Sequence, residues 1–134
     1  MDTKKLIQKP DIRDSTELIK HGKGPGTRYV FLDRKKLPET KIYSILRAIK
    51  NLKETEEYVQ QHIHECDSKF LFIGDNDDLT GLKAEVTLNG EVHPVDSPTA
   101  VFIPKGLPHS VRLLEGSGKF VNTLVCSDYN ESTR

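Results

Sequence analysis

Long apolar runs are missing from this sequence. Nothing approaches the ~18 consecutive apolar residues that a membrane-crossing helix needs. A surplus of either charge is missing too: 20 Lys and Arg stand against 20 Asp and Glu. That balance argues against charge-driven binding to nucleic acid or an anionic membrane. Cysteine is scarce. Cys66 and Cys126, sixty positions apart, are too few for a disulfide framework, although a single bridge stays open. The opening Met1-Asp2-Thr3-Lys4-Lys5-Leu6 is polar and soon interrupted by Pro10, so it lacks the apolar core of a secretion signal. The expected compartment is the cytoplasm. Internal repeats and low-complexity tracts are also lacking.

What is present fits one globular domain. The chain has 134 residues, 35% hydrophobic and 30% charged, enough to bury a core without a staple. Residues 1–27 read as a polar, turn-rich N-terminal extension. One short helix is expected there, capped by Asp14 with Glu17 three positions on, and closed by the glycine-rich 22–27 stretch. That stretch leads into a strand rather than a helix and lacks the Lys-Ser/Thr ending, so it is not a phosphate loop.

From Arg28 the pattern turns to strands. Tyr29 to Leu32 is a short apolar run. Lys41 to Ile49 alternates with both faces partly apolar, as in a strand between two layers; a helix running on to Lys53 is the competing reading. Phe70-Leu71-Phe72-Ile73 is the most apolar run. Leu82, Ala84, Val86 and Leu88 alternate with polar residues, which marks a half-buried strand. Asn89-Gly90 is a hairpin signal. Ala100 to Ile103, Val111 to Leu113 and Phe120 to Val125 complete the set, with Gly116-Ser117-Gly118 expected as a turn and residues 127–134 expected to fray as a flexible tail. Eight or nine short strands separated by turn residues predict an all-β barrel or double-sheet jelly roll spanning residues 28–126.

Three of the five histidines fall where they make sense together. His62 and His64 are two apart on an expected strand, so both rings point to one face. His109 follows 45 positions later, after a Pro-Lys-Gly-Leu-Pro turn. Three imidazoles from facing strands occupy three corners of a coordination sphere and leave the others open for water or substrate.

Here the sequence resembles the cupin superfamily. His62-Ile63-His64 followed by Phe70 to Gly74 is similar to the first cupin motif. Pro104-Lys105-Gly106-Leu107-Pro108-His109 is similar to the second, P-x-G-x-x-H. The resemblance covers residues 58–125 and implies a cupin-type double-stranded β-helix, with His62, His64 and His109 holding one divalent metal. It also implies a homodimer, for which the Tyr29–Leu32 run is a candidate strand. Two positions depart from the motifs. The usual fourth ligand, a Glu, is replaced at the matching positions by Ser68 and Lys69, and the Asn expected after the second-motif His is Leu113. Ser68 shares the inward parity of Phe70 and Phe72, while Glu65, Asp67 and Cys66 are alternative ligands or pocket residues. Tyr43, Arg47, Phe70, Phe72 and Asn122 are candidates for the lining of a substrate pocket.

Three neutral imidazoles leave the full divalent charge on the metal, and some cupin oxygenases of the thiol and diketone type resemble this arrangement. The leading expectation is an enzyme acting on a small polar metabolite with Fe(II)/O2 dioxygenase-type chemistry; Mn, Ni or Zn would also suit imidazole ligands. A non-catalytic binding or sensing barrel is the alternative, and a metal-dependent isomerase or lyase is the third reading.

Overall fold

Strict alternation of buried and half-buried residues sets the central strand of the fold. In the computed structural model, which describes residues 2–53, 58–126 and 128–134, Tyr43–Leu52 is a strand whose Tyr43, Ile45, Arg47 and Ile49 point into the core. The helix reading of this stretch is therefore set aside. Eight strands are described: β1 (Asp11–Ile12), β2 (Thr27–Leu32), β3 (Tyr43–Leu52), β4 (Ser68–Gly74), β5 (Leu82–Leu88), β6 (Glu91–Asp96), β7 (Thr99–Ile103) and β8 (His109–Leu124). A single turn of α-helix, α1 (Tyr129–Ser132), follows. The short helix expected at Asp14 is one 3-10 turn, Ser15–Glu17, with the Asp14 side chain accepting from the Thr16 amide.

The strands run in the order β1-β2-β3-β8-β4-β7, while β5 pairs with β6 and with β8. β8 joins the two layers. Its first half, from His109 to Gly116, pairs with β5. Its second half, from Gly116 to Leu124, lies between β3 and β4. The turn expected at Gly116-Ser117-Gly118 is thus a bend inside one long strand. Glycine is required there because the strand crosses closely over its neighbours. A Cβ on Gly116 would collide with the carbonyl of Gly81, and one on Gly118 with that of Ile73. Gly116 also has φ +107°, a conformation L side chains rarely adopt.

Asn89 and Gly90 both have positive φ and close the β5–β6 hairpin as expected. β2 is paired inside the chain on both sides, with β1 and with β3. The core has two parts. One gathers Phe70, Phe72, Leu82, Val86, Leu113 and Phe120. The other gathers Val30, Tyr43, Ile45, Leu124 and Tyr129.

The end of the chain differs from expectation. Its polar composition suggests fraying, yet Tyr129, Ser132 and Thr133 are buried. Residues 132–134 lie antiparallel to 63–65: the Ile63 amide donates to the Arg134 carbonyl, the Arg134 amide to Ile63, and the Glu65 amide to Ser132. The Cys66–Cys126 disulfide clips this ribbon at its start. The polar side chains find partners beneath the ribbon, which composition by itself does not reveal.

Candidate metal centre

Two backbone hydrogen bonds bring the candidate ligands together. The His62 amide donates to the His109 carbonyl (3.1 Å), and the His109 amide donates to the His62 carbonyl (2.9 Å). This one bridge places the first-motif segment beside the start of β8. All three rings are buried, and one donor nitrogen from each lies within 4.8 Å of the others.

The rings are held from behind, which fixes where their lone pairs point. Nδ1 of His62 lies 2.7 Å from the Gln60 carbonyl, and Nδ1 of His109 lies 2.8 Å from the Leu107 carbonyl. A carbonyl only accepts, so each of these nitrogens carries the proton. Nδ1 of His64 lies 3.2 Å from Ser132 Oγ. That hydroxyl donates to the Tyr129 carbonyl, so it accepts from His64. By these hydrogen bonds, every neutral ring presents a bare Nε2. The Nε2 atoms of His62 and His64 nevertheless face each other at 3.2 Å, with no proton for either to donate. Lone pairs converging in this way suit a cation between them. With M–N bonds of ~2.0–2.1 Å, donors at adjacent corners are ~2.9–3.4 Å apart, which matches the observed separation. Backbone or hydroxyl acceptors on the far nitrogen are the usual outer support of a ligating histidine.

Burial shifts these groups toward the neutral form that a ligand requires. Desolvation lowers His62 to about 4 and His64 to about 2. His109 is lowered for the same reason.

The alternative ligands fare differently. Cys66 is engaged in the disulfide, so its sulfur is not a free thiolate. Glu65 points outward and pairs with Arg134 at 3.3 Å. Asp67 is exposed and accepts from the Lys105 amide at 2.8 Å, fastening the second-motif turn to the first-motif loop. Both carboxylates thus face outward, while Cys66 packs half-buried against the core that holds Tyr43 and Leu124. Ser68 is buried, and its Oγ has no hydrogen-bond partner among the described residues.

Next to His62 lies a cavity of ≈ 20 Å³ whose lining includes Tyr43, Arg47, Phe70 and Asn122. Phe72 does not line it. It sits two residues deeper along β4, against Phe120 at 5.2 Å between ring centroids. Arg47 is buried rather than solvated at the rim. Its guanidinium donates to the Lys23 and Pro25 carbonyls and to Ser15 Oγ, and lies 4.6 Å from the centre of the Tyr58 ring. Its Nε has no partner among the described residues, nor does Oδ1 of Asn122.

Sequence reasoning missed four residues here: His21, Arg28, Tyr58 and Tyr129. Arg28 donates to Tyr43 Oη at 2.7 Å and to Glu17 at 3.0 Å. Burial pushes Tyr43 up to about 12, against the pull of Arg28. Tyr129 Oη lies 3.1 Å from His62 Nε2 and 2.9 Å from His21 Nε2. His21 and Tyr129 lie in polar segments outside both motifs, so no local pattern marks them.

No family model and no curated protein matches this chain. Solved structures do. A conserved protein of unknown function from Streptococcus pyogenes is 15% identical with a TM-score of 0.51, over 75% of this chain and 74% of that one. A protein from Planctomyces limnophilus is 14% identical with a TM-score of 0.54, over 93% and 96%. Oxalate decarboxylase from Bacillus subtilis at pH 4.6 is 18% identical with a TM-score of 0.55, over 96% of this chain but only 32% of the enzyme. The chain therefore spans about a third of that enzyme's length. Another structure of the same enzyme is described for its Mn(II) centres. At these identities the likeness is one of fold, and with the strand order above the chain is an all-β jelly-roll barrel.

Proposed function

We propose that this protein is a metal-dependent enzyme acting on a small polar, anionic metabolite, with one divalent ion held by His62, His64 and His109. The observation that carries this reading is the convergence of bare Nε2 atoms, with His62 and His64 at 3.2 Å and both rings buried. When bound, such an ion acts as a Lewis acid and a template that orients substrate.

The chain's own residues supply the rest. Two guanidiniums line the cavity beside His62: Arg28 is paired with Glu17 at 3.0 Å, whereas Arg47 has no carboxylate partner among the described residues and so carries the positive charge there. Among the described residues, Arg47 Nε–H and Asn122 Oδ1 are buried polar groups there without a hydrogen-bond partner. Arg47 Nε–H donates to the anionic end of the substrate and Asn122 Oδ1 accepts from a hydroxyl on it, while Phe70, Val111 and Phe120 exclude water. At ≈ 20 Å³ the cavity holds about one water molecule.

Fe(II) with oxygenase chemistry is the preferred form of the proposal, because three neutral imidazoles would leave a bound divalent ion its full positive charge, which suits an anionic substrate. Mn(II) and lyase chemistry stand beside it, supported by the likeness to a decarboxylase with Mn(II) centres. The small size of the cavity, ≈ 20 Å³, favours a second reading, a non-catalytic binding barrel.

Elemental analysis of protein purified without a metal-affinity tag, beside His64→Ala, tests the proposal. Near-stoichiometric iron lost in the variant, followed by O2 uptake with small carboxylates, thiols or diketones, is the expected result. Stoichiometric manganese with O2-independent turnover selects the lyase form. A wild-type protein that carries no metal and takes up none overturns the proposal.

A further inference from the structure

The family's carboxylate ligand is absent from β4, but another oxygen approaches the cluster from the end of the chain. We propose that Tyr129 Oη is the fourth protein donor of the metal centre, which rests on the metal reading given above.

The geometry begins with His21. Its Nδ1 lies 2.7 Å from the Ile19 carbonyl and so carries the proton. Its Nε2 is therefore an acceptor, 2.9 Å from Tyr129 Oη. The phenol has one hydrogen and two nitrogen neighbours, His21 Nε2 and His62 Nε2, and both are bare. Donated to His21, that hydrogen leaves the oxygen lone pairs facing the space shared by His62 and His64. The Oη–His62 Nε2 distance of 3.1 Å matches the 3.2 Å between His62 and His64 Nε2. Both fall in the ~2.9–3.4 Å range for adjacent corners of one coordination sphere. The ring of Tyr129 packs edge-on against His64, with centroids 4.5 Å apart. His21 itself is not a member of the cluster; it is a positioning residue for the phenol.

The backbone around Tyr129 is held to match. Its carbonyl accepts from both Ser132 Oγ and Thr133 Oγ1, and Ser132 Oγ also receives the Nδ1–H of His64. One turn of helix thus supports a histidine ligand from behind and offers an oxygen in front. The Cys66–Cys126 disulfide holds that turn to the loop after His64.

Co(II) titration of the metal-free protein tests the proposal, because d–d absorption reports ligand number and geometry. Tyr129→Phe removes only the hydroxyl. The variant is expected to bind one Co(II) with about tenfold weaker affinity, with an altered visible spectrum. It should also respond to added azide at lower concentration than wild type. Superimposable spectra and equal affinity in the two proteins overturn the proposal while leaving the three-histidine site standing. Should neither protein bind Co(II), and His64→Ala behave the same, the metal reading falls and this proposal with it. A crystal structure of the wild-type Co(II) form needs no variant: Oη within about 2.2 Å of the ion is expected, and Oη beyond about 3 Å overturns the assignment.

Discussion

His62 and His64 face each other through Nε2 atoms 3.2 Å apart, although each ring already directs its one proton at an acceptor behind it. Two neutral rings so placed repel through their lone pairs. The arrangement persists because the backbone fixes it, through the bridge from His62 to His109 and the pairing of His64 with Thr133. The three donor nitrogens are thereby held within 4.8 Å of one another, the spacing of a group that could hold a metal ion.

Ser132→Ala tests the support behind His64. It removes the closer Nδ1 acceptor and leaves Thr133 Oγ1 at 3.4 Å. Outer-shell losses of this kind weaken metal binding by about 10–100-fold, and the lower end is expected because Thr133 remains. Titration calorimetry with Zn(II) reads it; unchanged affinity would mean that Ser132 does not orient the ring.

Acid should destabilise the metal-free protein through its buried histidines. Desolvation lowers His21 and His62 to about 4 and His64 to about 2, from an ordinary 6.5, and lowers His109. Between those values and 6.5 the unfolded chain binds more protons than the folded one. Stability therefore rises with pH across that window and is lost as pH falls from about 6.5 toward 4. Thermal melts of metal-free protein should show Tm dropping steeply there, and a flat profile would contradict the buried, neutral rings.

Removing the disulfide should loosen the cover of the site. The bond closes a loop of sixty residues, and Cys66→Ser with Cys126→Ser is expected to cost about 3–4 kcal/mol. Denaturant melts of the double variant measure it. Faster proteolysis at the C-terminal end should accompany the loss, since the disulfide lies just before the helical turn that carries Tyr129.

Gly116→Ala tests the bend in β8. The new Cβ meets the Gly81 carbonyl at a positive φ of 107°, combining backbone strain with overpacking. A loss of about 3 kcal/mol is expected. A melt within about 0.5 kcal/mol of wild type, the scatter of neutral surface changes, would show that the strand does not cross there as described.

Much of the fold was legible because its signals are local. The alternation of Leu82 to Leu88 and the Asn89-Gly90 pair announce a hairpin without reference to anything else. The bend at Gly116 was not legible. Gly-Ser-Gly reads as a turn unless the strands crossing beneath it are known. Phe72 and Phe70 share one parity, yet only Phe70 reaches the cavity, and depth along a strand is not written in alternation. Asp67 and Glu65 offer carboxylates near the histidines, but β4 begins at Ser68 and leaves both outside.

The sequence by itself determined that strands would form, that His62 and His64 would share one face, and that His109 would open a facing strand. These follow from a side-chain period of two and from short motifs, which act over a few residues. Only the tertiary structure decided what surrounds the histidines. His21 meets Tyr129 across 108 positions, Ser132 meets His64 across 68, and Cys66 meets Cys126 across 60. Such contacts depend on where separate strands and the chain end are packed, and that packing is decided by burial of the whole core rather than by any local pattern.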